Sequence, residues 1–267
     1  MNRSRFGNTE VLVRAPQSDP RATPLMFVHG AYVGAWCWDE HFLSYFAEHG
    51  YCCYALSLPG HGGSAGRDRL DTYGIDAYVE CLAGVIHALP GQPVLIGHSM
   101  GGMVIQKYLE AHTVPGVVLM ASVPPEGLWA SALSIAMTQP QLLGELNNLL
   151  SGARLALPAL NQAMFAHTLE PARLLRYLRQ MQPESHRAIW DMTLFNLPRP
   201  GRRRCPRALV LGAEGDSIIP PHLVRHTARE FAVEAEIFPD MGHGMMLDGS
   251  WQVCAQRILG WLDGQGI

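Results

Sequence analysis

Lysine is nearly absent from this sequence, because Lys107 is the only one and the other basic side chains are arginines and histidines. The formal net charge is −3 at pH 7. A chain with this balance has no general attraction to a polyanion. The arginines at 202–204 lie among proline and glycine residues, as in a solvated connector. We therefore expect no nucleic-acid partner.

Long apolar runs are also missing. None approaches the roughly 20 residues that a membrane-spanning helix needs, and residues 1–8 have no apolar stretch typical of a secretory signal. The six cysteines are scattered and include no C-x-x-C pair. This spacing gives a cysteine zinc site no support and favours reduced thiols over a disulfide framework. We expect a cytoplasmic protein with no membrane span and no metal.

The pattern that is present indicates an α/β fold. Short apolar runs bounded by turn residues alternate with stretches of helical period up to residue 122 and again from residue 208. Such runs predict a mostly parallel central sheet with helices on both faces. The predicted strands are 25–28, 51–56, 94–96, 116–120, 208–211 and 233–238, and the predicted helices near them are 39–48, 76–89, one from 220 and 250–262.

Residues 124–204 interrupt this alternation. They show no strand pattern, are rich in leucine, methionine and alanine, and have helical spacing at 142–150, 172–181 and 186–195. At 267 residues the chain is long enough for one large domain with an insertion. We predict a core domain formed by 1–123 and 205–267, with a helical cap, 124–204, inserted in it.

A glycine-flanked serine lies between the predicted strand 94–96 and an apolar stretch of helical period that follows it. The segment is Gly97-His98-Ser99-Met100-Gly101. Glycine at 97 and 101 leaves room for a sharp strand-to-helix turn that would expose the hydroxyl of Ser99. A G-x-S-x-G pattern in this context predicts a nucleophilic serine.

Two further residues follow predicted strands at the same edge of the sheet. Asp216 comes after 208–211, and His243 comes after 233–238. Sites of open parallel sheets form at this edge, and the chain order Ser, Asp, His is that of a nucleophile elbow with its partners. His243 would take the proton of Ser99, and Asp216 would orient the imidazole. Glu214 is a nearby rival for the acid.

An oxyanion formed at the serine needs backbone N–H donors that are already in place. The N–H of Met100, directly after the predicted nucleophile, is the first candidate. The second is the N–H of Ala31, in the loop after His29-Gly30. None of these groups requires a cofactor.

These motifs resemble those of α/β-hydrolase-fold proteins over nearly the whole chain. They are His29-Gly30 at the oxyanion loop, 97–101 at the elbow, 212–216 at the acid loop and Gly242-His243 at the histidine loop. Residues 29–38 are similar to the plant methylesterase and hydroxynitrile lyase branch, and 58–62 to bacterial esterases and lipases. The elbow also resembles monoacylglycerol lipases and cofactor-free perhydrolases. Lyase chemistry is disfavoured because 238–243 lacks the lysine of that branch.

The resemblance implies a serine hydrolase that cleaves a small carboxylic ester through an acyl-enzyme. The apolar composition of the predicted cap favours an apolar acyl or alkyl group, with Tyr32, Trp129 and Phe165 as candidate substrate-binding residues. Thioester hydrolysis, perhydrolysis and reception of a ligand with little turnover remain alternatives. We expect an enzyme that acts alone or as a homodimer.

Overall fold

The structure is a computed structural model that describes residues 2–17, 19–138, 144, 156–199, 201 and 207–267. Its centre is an eight-stranded sheet of order β1-β2-β4-β3-β5-β6-β7-β8. The strands are β1 Asn2–Phe6, β2 Thr9–Arg14, β3 Leu25–Val28, β4 Cys53–Leu56, β5 Val94–His98, β6 Val117–Met120, β7 Ala208–Ala213 and β8 Ala235–Phe238.

Strands β3 to β8 pair in parallel, whereas β2 pairs antiparallel with both β1 and β4. The predicted mostly parallel sheet is therefore confirmed. The hairpin of β1 and β2 was not predicted. Its turn contains Gly7 at a φ of +60°, and in β2 only Val11 and Leu12 are fully covered. Its partly polar strands lack the continuous apolar run that marks the central ones.

Helices cover both faces of the sheet, as predicted. The α-helices are Trp36–Asp39, Phe42–Glu48, Ile75–His87, Met100–Tyr108, Trp129–Thr138, Leu157–Met164, Pro171–Gln180, His186–Trp190, Pro221–Glu230 and Trp251–Gly264, joined by a 3-10 segment Arg67–Thr72 and a π-helical turn Asp191–Phe195. Of the predicted helix 142–150, only residue 144 is described, and it is helical; the others lie outside the described residues. Among the described residues, no helix is long and apolar enough to cross a bilayer.

The side chains of β3 show why the central strands are apolar throughout. Leu25 and Phe27 belong to one hydrophobic core, and Met26 and Val28 belong to the other. Successive side chains of a strand point to opposite faces. Because helices pack on both faces of this sheet, both sets are removed from water, and the strand shows no polar alternation.

Within 124–204, every regular element of the described part is helical or π-helical. The division into a core domain and an inserted cap stays a prediction. The described cysteines 37, 52, 53, 81 and 254 are free thiols, whereas Cys205 lies outside the described residues.

Candidate active site

Ser99 occupies a strained turn between β5 and the helix Met100–Tyr108. Its φ of 51° and ψ of −117° lie where a residue with a Cβ rarely sits. The turn closes tightly on the neighbouring strand, because a Cβ on Gly101 would lie 2.3 Å from the carbonyl oxygen of Val28 and 2.5 Å from that of His29. Only glycine fits at position 101 without movement of the backbone.

The backbone of Ser99 is held on both sides. Its N–H donates to the carbonyl of Met120 at the end of β6 (3.1 Å), and its carbonyl accepts from the N–H groups of Val123 (3.1 Å) and Gly102 (3.0 Å). The strained conformation is therefore imposed by the adjoining strand and helix. The serine itself remains half-buried at the carboxyl edge of the sheet.

Asp216 and His243 meet at the same edge. The Nδ1 atom of His243 lies 2.7 Å from Oδ2 of Asp216, and both side chains are buried. The other carboxylate oxygen of Asp216 accepts from the N–H groups of Ile218 and Ile219, each at 2.8 Å. A carboxylate with three donors is held in one orientation, so the neutral ring of His243 has its proton on Nδ1 and a lone pair on Nε2.

Glu214, the rival acid, is exposed. Its backbone N–H donates to the carbonyl of Phe238, so the loop after β7 is bonded to the end of β8. The contact with His243 is made by Asp216 and not by Glu214.

The loop that carries His243 is packed against Phe165, one of the predicted substrate-binding residues. A Cβ on Gly242 would lie 2.5 Å from Cα of Phe165, and the N–H of Gly244 donates to the carbonyl of Met164 at 2.7 Å. Phe165 is only 5% exposed. Asp248 holds the far side of the loop by accepting from the N–H groups at 242 (3.4 Å) and 250 (3.0 Å).

His98 holds the histidine loop from below. Its Nε2 donates to the carbonyl oxygen of His243 at 2.8 Å, and the two rings are 4.7 Å apart between centroids. Burial, with the nearby His243, lowers the pKa of His98 well below its usual value. Its ring is therefore neutral, with the proton on Nε2.

The predicted oxyanion loop passes beside Ser99. A Cβ on Gly30 would lie 2.9 Å from Nδ1 of His98 and 3.1 Å from Cβ of Ser99. His29 shapes the loop: its Nδ1 donates to the carbonyl of Gly30 at 2.7 Å, and its Nε2 accepts from the N–H of Leu58 at 3.0 Å. Burial, reinforced by the nearby charge of His61, lowers the pKa of His29 to about 3.

The two predicted oxyanion donors belong to these segments. Met100 is buried and begins its helix, so its N–H is one of the first-turn donors that have no partner within a helix. Ala31 is half-buried and follows Gly30. Their role as donors stays a prediction.

The other two predicted substrate-binding residues lie in different surroundings. Tyr32 is half-buried and has a positive φ of 65°. Trp129, at the start of the helix Trp129–Thr138, is 51% exposed. Their contacts with a substrate stay predictions, as does that of Phe165.

Sequence reasoning missed one buried charged residue beside the site. Glu184 is 5% exposed, and its carboxylate bonds to Tyr78 and His61, which lie 106 and 123 residues away along the chain. No local pattern marks this glutamate. Only its position in the folded chain reveals it.

A strained serine after β5 and an aspartate–histidine pair after β7 and β8, on a sheet of this strand order, define the α/β-hydrolase architecture. The chain belongs to the alpha/beta hydrolase family, whose profile matches residues 25–257. No curated protein sequence matches the chain. The likeness to plant methylesterases and hydroxynitrile lyases stays a prediction from the sequence.

Several solved structures share the fold over almost the whole chain. An esterase from Exiguobacterium antarcticum is 17% identical, with a TM-score of 0.72, and the match covers 96% of this chain and 95% of that one. A monoacylglycerol lipase from Paleococcus ferrophilus is 20% identical, with a TM-score of 0.71, over 96% and 99%. A thermophilic esterase from Thermogutta terrifontis is 20% identical, with a TM-score of 0.69, over 98% and 96%. At these identities the similarity shows the fold alone.

Proposed function

We propose that this hydrolase cleaves a carboxylic ester with an apolar acyl or alkyl group, with Ser99 as nucleophile, His243 as base and Asp216 as the group that orients the base. The observation that carries the proposal is the 2.7 Å contact between His243 Nδ1 and Asp216 Oδ2, at the sheet edge where the strained Ser99 lies. A weakly nucleophilic hydroxyl needs such an oriented base.

The reaction has two halves. Ser99 Oγ attacks the ester carbonyl while Nε2 of His243 takes its proton, and the tetrahedral intermediate collapses when the same proton passes to the departing alcohol. Water then attacks the acyl-enzyme with His243 again as base, which releases the acid and restores the serine. Asp216 stays ionised throughout and stabilises the imidazolium that forms in each half.

The negative charge on the carbonyl oxygen is stabilised by the N–H groups of Met100 and Ala31. Both follow backbone that is held by hydrogen bonds: Met100 follows Ser99, which bonds to Met120 and Val123, and Ala31 follows the His29-Gly30 turn, which bonds to Leu58. Donors that need no reorganisation stabilise the transition state more than the ground state.

The ester preference is supported by the surroundings of the histidine loop and by the resemblance to esterases and lipases. The side chains of Phe165 and Met164 pack on Gly244, and their backbone packs on Gly242, so apolar side chains from the segment 156–199 border the histidine loop. A small ester with an apolar acyl or alkyl chain suits such a border.

The test is hydrolysis of p-nitrophenyl esters of increasing acyl length by the wild type and by Ser99→Ala and His243→Ala variants. We expect losses in kcat of about 10⁴–10⁶ in both variants. His112→Ala is the matched control, because His112 is an exposed histidine stacked on Tyr108, and it should retain full activity.

Equal rates in all four proteins would reject the proposed nucleophile and base. Turnover of acyl thioesters or formation of peracids in place of ester hydrolysis would move the function to those alternatives. Tight binding of an ester without turnover would indicate a receptor.

A further inference from the structure

Glu184 lies in the segment between the helices Pro171–Gln180 and His186–Trp190, and its carboxylate accepts four hydrogen bonds. Oε1 accepts from the hydroxyl of Tyr78 (2.7 Å) and the N–H of Ser185 (2.8 Å). Oε2 accepts from Nε2 of His61 (2.9 Å) and the N–H of Tyr32 (3.3 Å). The proposed ester hydrolysis by Ser99, His243 and Asp216 does not use this buried carboxylate.

His61 and Glu184 form a buried hydrogen-bonded pair. His61 Nδ1 faces the carbonyl oxygen of Pro59 at 3.0 Å, and Nε2 faces Glu184. Both neighbours offer acceptor oxygens, so a doubly protonated His61 ring satisfies both contacts and faces the carboxylate with a positive charge. Burial opposes ionisation of Glu184, but His61 and the other donors outweigh it and lower the pKa of the carboxyl.

One of the four bonds reaches the oxyanion loop. Tyr32 directly follows Ala31, and its backbone has a φ of 65° that a residue with a side chain rarely adopts. Its N–H donates to Glu184, and its carbonyl accepts from the N–H of Gln182 at 2.9 Å. The segment that carries Glu184 therefore forms hydrogen bonds with both the backbone N–H and the backbone carbonyl of this strained residue.

We propose that Glu184 is a positioning residue, which holds Tyr32 in its left-handed conformation and so aims the N–H of Ala31 at the oxyanion. The inference rests on the proposed function, because it assigns Glu184 a role in the same oxyanion hole. His61 neutralises the carboxylate, so that no net negative charge opposes the oxyanion forming nearby.

The isosteric variant Glu184→Gln removes this one bond selectively. Its oxygen can accept from Tyr78 and Ser185, and its NH₂ group can donate to a neutral His61 that keeps Nδ1–H on Pro59. Only the N–H of Tyr32 is then left facing a donor instead of an acceptor. The cluster stays packed while Tyr32 loses its N–H bond to position 184 and keeps the bond from the N–H of Gln182.

The experiment compares the wild type, Glu184→Gln and the control Asp191→Asn. Asp191 belongs to the same region of the chain, and its Oδ2 accepts the N–H of Ile75 at 3.0 Å, whereas the N–H of Tyr32 bonds to Glu184. Each protein is assayed for kcat and KM with the best p-nitrophenyl ester. Each is also inhibited with a trifluoromethyl ketone, which forms an anionic adduct on the serine, and with the methyl ketone of the same chain.

We expect Glu184→Gln to lower kcat by about 10–100-fold, with KM changed less than threefold, because a misaimed donor weakens only the transition state. The inhibition constant of the trifluoromethyl ketone should rise by a similar factor, while that of the methyl ketone stays the same. Asp191→Asn should behave like the wild type. A residue that only stabilises the fold would not change kcat and the fluoroketone affinity while leaving KM and the methyl ketone affinity constant.

Two results would overturn the inference. One is an unchanged kcat and fluoroketone affinity in Glu184→Gln. The other is an equal rise of KM and of both inhibition constants, which would mean that Glu184 only holds the fold together.

The rate at which a fluorophosphonate labels Ser99, read by intact mass, separates this inference from the proposed function. If the wild type labels but hydrolyses no ester, the proposed function fails, and slower labelling of Glu184→Gln still supports the positioning role. If the wild type hydrolyses esters and Glu184→Gln labels at the same rate, only the inference fails. If the wild type does neither, both fail.

Discussion

The substitution Asp216→Asn changes one atom in the site, and the structure predicts where that atom goes. Oδ1 of Asp216 accepts two backbone N–H groups, from Ile218 and Ile219. An NH₂ group in that place would face two donors, so the amide oxygen of the asparagine takes it. The new NH₂ group must then occupy the place of Oδ2, 2.7 Å from Nδ1 of His243.

This orientation reverses the tautomer of His243. An NH₂ group facing Nδ1 requires a lone pair there, so the proton of the neutral ring moves to Nε2. Nε2–H cannot accept the proton of Ser99. A reversed tautomer in a triad of this kind lowers kcat by roughly 10⁴-fold, which corresponds to about 5.5 kcal/mol of lost transition-state stabilisation. Binding of the substrate does not use this proton, so KM should change little.

The assay is steady-state hydrolysis of the best p-nitrophenyl ester, with urea unfolding to confirm that the variant is folded. Glu214→Gln is the matched control, since Glu214 lies two residues before Asp216, and its carboxylate is exposed. The ring of His243 bonds to Asp216 instead. We expect full activity there. A loss in Asp216→Asn smaller than about tenfold, or an equal loss in Glu214→Gln, would refute the assignment of Asp216.

Three further predictions concern stability. Gly101→Ala places a methyl group 2.3 Å from the carbonyl oxygen of Val28, so it should cost about 1–3 kcal/mol in urea unfolding and lower kcat; an unchanged midpoint would contradict the tight turn. In the unfolded chain His29 takes up its proton near the ordinary histidine pKa of 6.5, whereas burial in the folded chain lowers the pKa to about 3, so stability should fall by about 1.4 kcal/mol per unit as pH drops through this window. His29→Gln should lower the slope of the unfolding free energy against pH by the contribution of one proton. An unchanged slope would exclude His29 as its source. His61→Gln leaves the buried carboxylate of Glu184 without an opposite charge beside it and should cost about 3–5 kcal/mol of stability; adding Glu184→Gln should recover part of this loss, and strict additivity of the two losses would argue against the pair.

The sequence was sufficient for the central elements, and particular residues show why. Leu25–Val28 is a strand over the predicted residues, because a run of apolar side chains this short can be buried on both faces only in a covered sheet. The sequence places Ser99, Asp216 and His243 at one edge, because the carboxyl ends of parallel strands lie at the same edge of a sheet. The glycine at 101 also predicted the sharp turn, since its cause is a local steric one.

Other features depended on the tertiary structure. The hairpin Asn2–Phe6 and Thr9–Arg14 escaped prediction, because an antiparallel edge is stabilised by its pairing with β4 and not by an apolar run of its own. Only the folded chain distinguishes Asp216 from Glu214, which lies two residues earlier. Asp216 is buried and contacts His243, whereas Glu214 is exposed.

Glu184 shows the difference between what the local sequence determines and what the tertiary structure determines. By itself it is one acidic residue in a polar stretch, and a solvated surface is the usual place for such a residue. Folding brings it against His61, Tyr78 and Tyr32, whose donors come from three separate segments of the chain. Local sequence determines strands, turns and the residues that end them, because those depend on near neighbours. The charge and the partners of a buried carboxylate depend on contacts between distant segments, and only the tertiary structure decides those.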